Sequence, residues 1–256
     1  MGSQRVLSQR DSEADWGHAV TAIDLRGHGE SDVPTSGYDT ATAVGDVAAV
    51  ITALGLDRPV VAGQSWGGNV VVELAATFPH LVAAIALVDG GWICPKDSFA
   101  SWAEVLQTLT PPDLGDRSWP EVSAMVAAAH PDWAQWAIES TLANLRELPD
   151  GTVSARLARA HHLSILRSMW DHSIADRYPA VTVPSLLLPA GSRAGAQLTA
   201  VQRAAAGLNL SGSRSEIRWY EGADHDLHAQ HPDRLAGDLR SLVARARPVV
   251  ADAESL

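Results

Sequence analysis

The sequence predicts an α/β fold: a mostly parallel sheet flanked by helices, with a helical cap inserted between two of its strands. Three observations carry this reading. Short apolar runs alternate with helix-like periodicity from about residue 19 onward. One such run leads into Gly63-Gln64-Ser65-Trp66-Gly67, and an amphipathic helix leads out. The alternation stops over residues 95–178 and then resumes. With 46% hydrophobic against 19% charged residues, the 256-residue chain has ample material for a core, and one sizeable domain is the better reading of that length.

Taken in order, residues 19–24, 60–65, 84–89, 185–190 and 216–221 read as strands. The middle three are nearly continuous in hydrophobicity, as strands covered on both faces are. Helical patterns lie between them at about 39–55, 66–78, 196–207 and 231–246. Residues 1–94 and 179–256 are thus expected to form the core, and residues 95–178 the cap. The cap segment has no strand signal, breakers at Pro111-Pro112, Pro120 and Pro131, and five of the nine tryptophans (Trp102, Trp119, Trp133, Trp136 and Trp170). Their plain reading is packing; the sharper one is that one or two line an apolar pocket.

Composition excludes several roles. A net charge of −11 argues against nucleic acid or an anionic membrane as partner and favours a small-molecule substrate. Cys94 is the sole cysteine, which excludes an internal disulfide and a cysteine-based zinc site. Lys96 is the sole lysine. No apolar run reaches the roughly 18 residues of a membrane span, and no secretory leader pattern opens the chain, so a soluble, cytoplasmic protein is expected.

Chemistry concentrates at the 63–67 turn. A serine on a sharp strand-to-helix turn needs small neighbours, because the backbone passes close to itself. Ser65 then stands clear of the sheet at the positive end of the following helix, and the Trp66 N–H points at an oxyanion forming there. An unperturbed hydroxyl is a poor nucleophile, so a base must stand nearby. Gly222-Ala223-Asp224-His225 follows the last strand directly, on the same sheet edge, which makes His225 that base. His225, His228 and His231 are spaced three apart, but no carboxylate or thiolate of matching placement completes a metal site.

Asp24-Leu25-Arg26-Gly27-His28-Gly29-Glu30-Ser31, Gly63–Gly68, Val183-Pro184 and Gly222–His225 occur in that order. In this the chain resembles the α/β-hydrolase fold superfamily, of the serine hydrolase and esterase type, from Asp24 to the final helix. The resemblance implies Ser65 as nucleophile and His225 as general base. It disfavours the haloalkane dehalogenase and epoxide hydrolase chemistries of this fold, which need an aspartate in the elbow. The usual acid, G-x-x-D after the 185–190 strand, is missing, since that loop reads Gly191-Ser192-Arg193-Ala194. Some family members carry the acid after the preceding strand, which points to Asp89, with Asp176 in reserve. Trp66 is expected at the oxyanion hole and Trp92 at the substrate pocket. No cofactor or metal is implied.

The resemblance implies hydrolysis of a carboxylic ester or lactone of a medium-sized apolar or aromatic molecule. C–C bond hydrolysis and aminopeptidase activity use the same residues. A binding protein or cyclase on this fold is the alternative of another class. The family's His-Gly strand end, which supplies the second oxyanion donor, is not found before Asp24. Residues 5–10 and 12–16 are its nearest trace. Either this strand is reduced, or residues are missing before Asp24, which an overlong Trp16–Gly17 bond would expose.

Overall fold

The computed structural model describes residues 18–208 and 215–246, together with the backbone of residues 6–7. Its elements are β1 (Val6–Leu7), β2 (Ala22–Ile23), α1 (Thr40–Ala53), β3 (Val60–Gln64), α2 (Trp66–Thr77), β4 (Ala84–Val88) and α3 (Trp102–Leu109). There follow α4 (Trp119–Ala129), α5 (Gln135–Leu142), β5 (Leu145–Glu147), β6 (Val153–Ala155), α6 (Arg159–Asp171), β7 (Ser185–Leu188) and β8 (Ala190–Gly191). The last are α7 (Gly195–Gly207), β9 (Glu216–Ile217), β10 (Tyr220–Glu221), α8 (Leu227–Gln230) and α9 (Pro232–Ala246). The chain groups into two compact units, Met1–Tyr38 with Thr108–Ile165, and Asp39–Gln107 with Leu166–Leu256. Among the described residues no helix is long and apolar enough to cross a membrane.

The larger unit holds a parallel sheet in the order β3-β4-β7-β9, with β8 and β10 pairing parallel beyond it. All five residues of β4 are buried. Alanine is a poor strand former, but that scale spans only about 1 kcal/mol. Full burial of a leucine contributes about 1.5–3 kcal/mol, so burial decides. Ala84, Ala86, Val88, Leu186 and Leu188 pack with Leu227 and Leu242 from the helical side. The last two sequence-predicted strands each appear as two pieces. Pro189 has no N–H to give to a ladder and separates β7 from β8. Pairing nevertheless continues through it, since Arg218 N donates to the Leu187 carbonyl at 2.9 Å and Tyr220 N to that of Pro189 at 2.8 Å. Asp238 of α9 holds this edge, accepting from Arg218 at 2.6 Å and from the Tyr220 hydroxyl at 2.7 Å.

In the smaller unit β1 pairs antiparallel with β2, Val6 opposite Ile23. Of the strand expected at 19–24, only Ala22–Ile23 forms ladder pairs. The following loop closes on Asp24, whose carboxylate accepts from Glu30 N at 3.1 Å and whose carbonyl accepts from the Ser31 hydroxyl at 2.6 Å. Gly29, at φ +49°, sits so close that a Cβ there would lie 2.1 Å from the Asp24 carboxyl. The D-x-R-G-x-G-x-S pattern therefore describes a self-bonded loop. The Trp16–Gly17 junction and residues 8–16 lie outside the described residues.

Against the expectation of helices alone between 95 and 178, β5 and β6 form an antiparallel hairpin there. Three-residue strands are too short to display alternation, which is why no strand signal was legible. Their turn does carry one. Asp150 accepts from Thr152 N at 3.0 Å and its hydroxyl at 2.6 Å, and Gly151 takes φ +83°. Of the segment's tryptophans, Trp119 and Trp133 pack on the cluster of Val122, Ile138, Leu142 and Val153. Trp102 and Trp170 lie 6.0 Å apart in the other unit, and Trp136 is exposed.

Candidate active site

Three chain segments of the larger unit build the site. β3 ends at Gln64, and Ser65 follows at φ +54°, ψ −125°, before α2 begins at Trp66. A non-glycine residue in that conformation costs about 1–3 kcal/mol and persists only where its surroundings hold it. They do so by close backbone packing. A Cβ on Gly63 would lie 2.2 Å from the Gly67 carbonyl oxygen, and one on Gly90 would lie 2.1 Å from that of Ser65. Ser65 N donates to the Val88 carbonyl at 3.0 Å. The small neighbours the elbow needs are thus Gly63, Gly68 and Gly90; around Gly67 nothing comes within 4 Å of a Cβ.

Asp89 leaves β4 at φ +40°, buried, with 8% exposure. Its Oδ2 lies 2.6 Å from His225 Nδ1. A carboxylate can only accept, so Nδ1 carries the proton and Nε2 is left as the basic nitrogen. The hydrogen bond His225 donates to Asp89 and the Asp89 charge hold the His225 pKa above the ordinary histidine value, with burial pulling the other way. Oδ1 of Asp89 accepts from Ala190 N at 3.0 Å and from Gln197 Nε2 at 2.8 Å. Both carboxylate oxygens are thereby oriented. The His225 side chain is half exposed, so its outer face stays accessible.

The structure brings Asp89, and not Asp176, to His225. Asp176 lies in the 174–180 turn, where its N–H donates to the Ser173 carbonyl. Asp224 faces away, bonded through its carboxylate and N–H to Gln230. The Ser65 hydroxyl makes no hydrogen bond among the described residues, while the Gln64 side chain donates to the His225 carbonyl at 3.2 Å. Trp66 is buried, its backbone N–H at the first position of α2 and its indole donating to Thr40 Oγ1 at 3.1 Å. Trp92 is buried at 4% exposure. Among the described residues no group of three or more His, Cys, Asp and Glu side chains converges as metal ligands would.

Sequence reasoning missed two supporting residues. Gln197 stands on α7, just beyond the loop where the usual acid is missing, and holds Asp89 from that side. Asn69 is buried in α2 and clamps the segment after Asp89, donating to the Ile93 carbonyl at 2.8 Å and accepting from Ile93 N at 3.3 Å. A buried helix Asn just after the elbow was the available signal for it.

A family model described as the alpha/beta hydrolase fold matches residues 4–118. A soluble epoxide hydrolase of Corynebacterium sp. is 39% identical over 82 residues, 31% of this chain and 29% of that one. The chain spans between about a fifth and three-tenths of the length of the curated relatives it matches. Two crystal structures share the fold. E-2-(acetamidomethylene)succinate hydrolase has a TM-score of 0.71 at 22% identity, covering 88% of this chain and 81% of that one. The Mycobacterium tuberculosis esterase Rv0045c has a TM-score of 0.65 at 21% identity, covering 89% and 75%. The parallel sheet, the strained serine elbow and the likeness to these two structures show that the chain has the alpha/beta hydrolase fold, whose family model matches its residues 4–118.

Proposed function

We propose that this protein is a serine hydrolase that cleaves a carboxylic ester or lactone of a small molecule through an acyl-enzyme. The observation that carries the reading is the 2.6 Å contact between His225 and Asp89 in a unit that also holds Ser65 in a strained elbow. In this reading Ser65 Oγ attacks the acyl carbon while His225 Nε2 takes its proton. The Trp66 N–H, at the positive end of α2, stabilises the oxyanion. His225 then returns the proton to the leaving oxygen, and water, deprotonated by the same nitrogen, releases the acid. Asp89 keeps the ring in its tautomer and stabilises the imidazolium. Trp92 borders the pocket.

The similarity to an epoxide hydrolase does not carry that chemistry over, because Ser65 stands where it requires a carboxylate. Oriented Asp89 also weighs against a non-hydrolytic binding protein or cyclase. C–C and peptide bond cleavage remain variants of the same machinery. The charge of −11 favours a small molecule over nucleic acid or an anionic membrane. The test is hydrolysis of a p-nitrophenyl ester series. Ser65→Ala and His225→Ala should each lower kcat by about 10³-fold or more. Turnover by Ser65→Ala at the unmodified rate would remove the proposal.

A further inference from the structure

A cavity of about 520 Å³ lies inside the smaller compact unit. His28 and Gly29, the 111–115 segment, and the β5–β6 hairpin with the chain leaving it form its wall. Leu114, Leu145 and Val153 belong to that unit's apolar cluster, and Leu148 and Leu157 extend the hydrocarbon surface.

Arg156 is set into this surface. Its Nε donates to the carbonyls of Ala143 at 2.8 Å and Leu145 at 3.1 Å, and Nη1 donates to that of Gly29 at 3.3 Å. All three acceptors are neutral. Among the described residues no carboxylate pairs with Arg156, and its Nη2 makes no hydrogen bond. A guanidinium cannot shed its proton, so a partly buried charge is held in place without a counter-ion. His162 lines the same cavity with its Nδ1 buried and unpartnered among the described residues. Arg159 adds a second cation; its nearest carboxylate, on Asp113, is 4.0 Å away and 83% exposed. Asp113 is the only acidic residue among the described residues that line the cavity. In a chain of net charge −11, this wall of two arginines and one exposed aspartate carries a local positive excess.

We propose that this cavity binds an organic carboxylate, its head on the open edge of Arg156 and its apolar body against Leu114, Leu145, Leu148 and Val153. Arginine suits the role because its fork matches a carboxylate in two parallel hydrogen bonds.

Isothermal titration of the full chain with octanoate and with octanamide, its neutral counterpart, tests this. Octanoate should bind about tenfold or more tightly than octanamide. Arg156→Gln should weaken octanoate by about tenfold while leaving octanamide unchanged, and Arg156→Lys should fall between them. Since Arg156 also ties three carbonyls, Arg156→Gln can unfold the hairpin. Leu148→Trp keeps every charge, fills the cavity and should abolish octanoate binding with an unaltered melting curve. Ser65→Ala should bind octanoate as the unmodified chain does, so this proposal and the hydrolase reading fail separately. Equal affinity for octanamide, or octanoate binding that survives Leu148→Trp, overturns it.

Discussion

Asp89 divides its two oxygens between different tasks, Oδ2 on the His225 ring and Oδ1 on the N–H groups of Ala190 and Gln197. In the proposed mechanism the base must be neutral to accept the Ser65 proton, so the direction of its pKa sets the working range. Asp89 raises the His225 pKa, and so the acidic limb of a kcat/KM profile should have its midpoint above 6.5. Asp89→Asn removes the charge and should move that midpoint down. It should also cut kcat by about 10³- to 10⁴-fold, since the amide no longer fixes the tautomer. A midpoint that stays in place, or a comparable loss from Asp176→Asn, would show that Asp89 does not act on this ring. Gln197→Ala removes one of the two hydrogen bonds to Oδ1, leaving that from Ala190 N, without removing charge, and should give a smaller loss, read as kcat at constant KM.

Among the elements, the elbow depends on how closely three stretches of backbone approach. Gly90→Ala would drive a methyl into the Ser65 carbonyl at 2.1 Å, backbone against backbone. Moving the nucleophile by such an amount should lower kcat by about 10²-fold even in a folded protein. Gly67→Ala meets open space in the first turn of α2 and should raise Tm slightly, consistent with a gain of at most about 0.5 kcal/mol from helix propensity. Thermal melts and steady-state kinetics on both variants check the pair; a stabilised, active Gly90→Ala would contradict the packing described. At the sheet edge, Asp238→Ala leaves Arg218 with Glu216 and Ser241 but leaves the buried Tyr220 hydroxyl without its acceptor. A loss of about 2 kcal/mol, several degrees in Tm, is expected.

For the whole molecule, the sequence made the strand-and-helix alternation legible because buried parallel strands and amphipathic helices each impose a period. Ser65 and His225 were legible because the elbow and the loop after the last strand are local patterns. Asp89 needed the order of motifs as well, since its pairing with His225 joins residues far apart in the chain. The Asp89–Gln197 bond was not legible for the same reason, nor was the division of roles between Gly67 and Gly68, which depends on what packs opposite. The β5–β6 hairpin escaped because its strands are shorter than the period that reveals a strand. Net charge was legible outright, but its local reversal around Arg156 exists only once the hairpin and the 111–115 segment enclose a space. Activated Ser65 is the central claim. Incubation of the full chain with a fluorophosphonate probe, followed by peptide mass spectrometry, addresses it most directly. The expected result is a single adduct on Ser65, absent from Ser65→Ala and strongly slowed in His225→Ala; a folded chain that forms no adduct, or carries it on another serine, would contradict it.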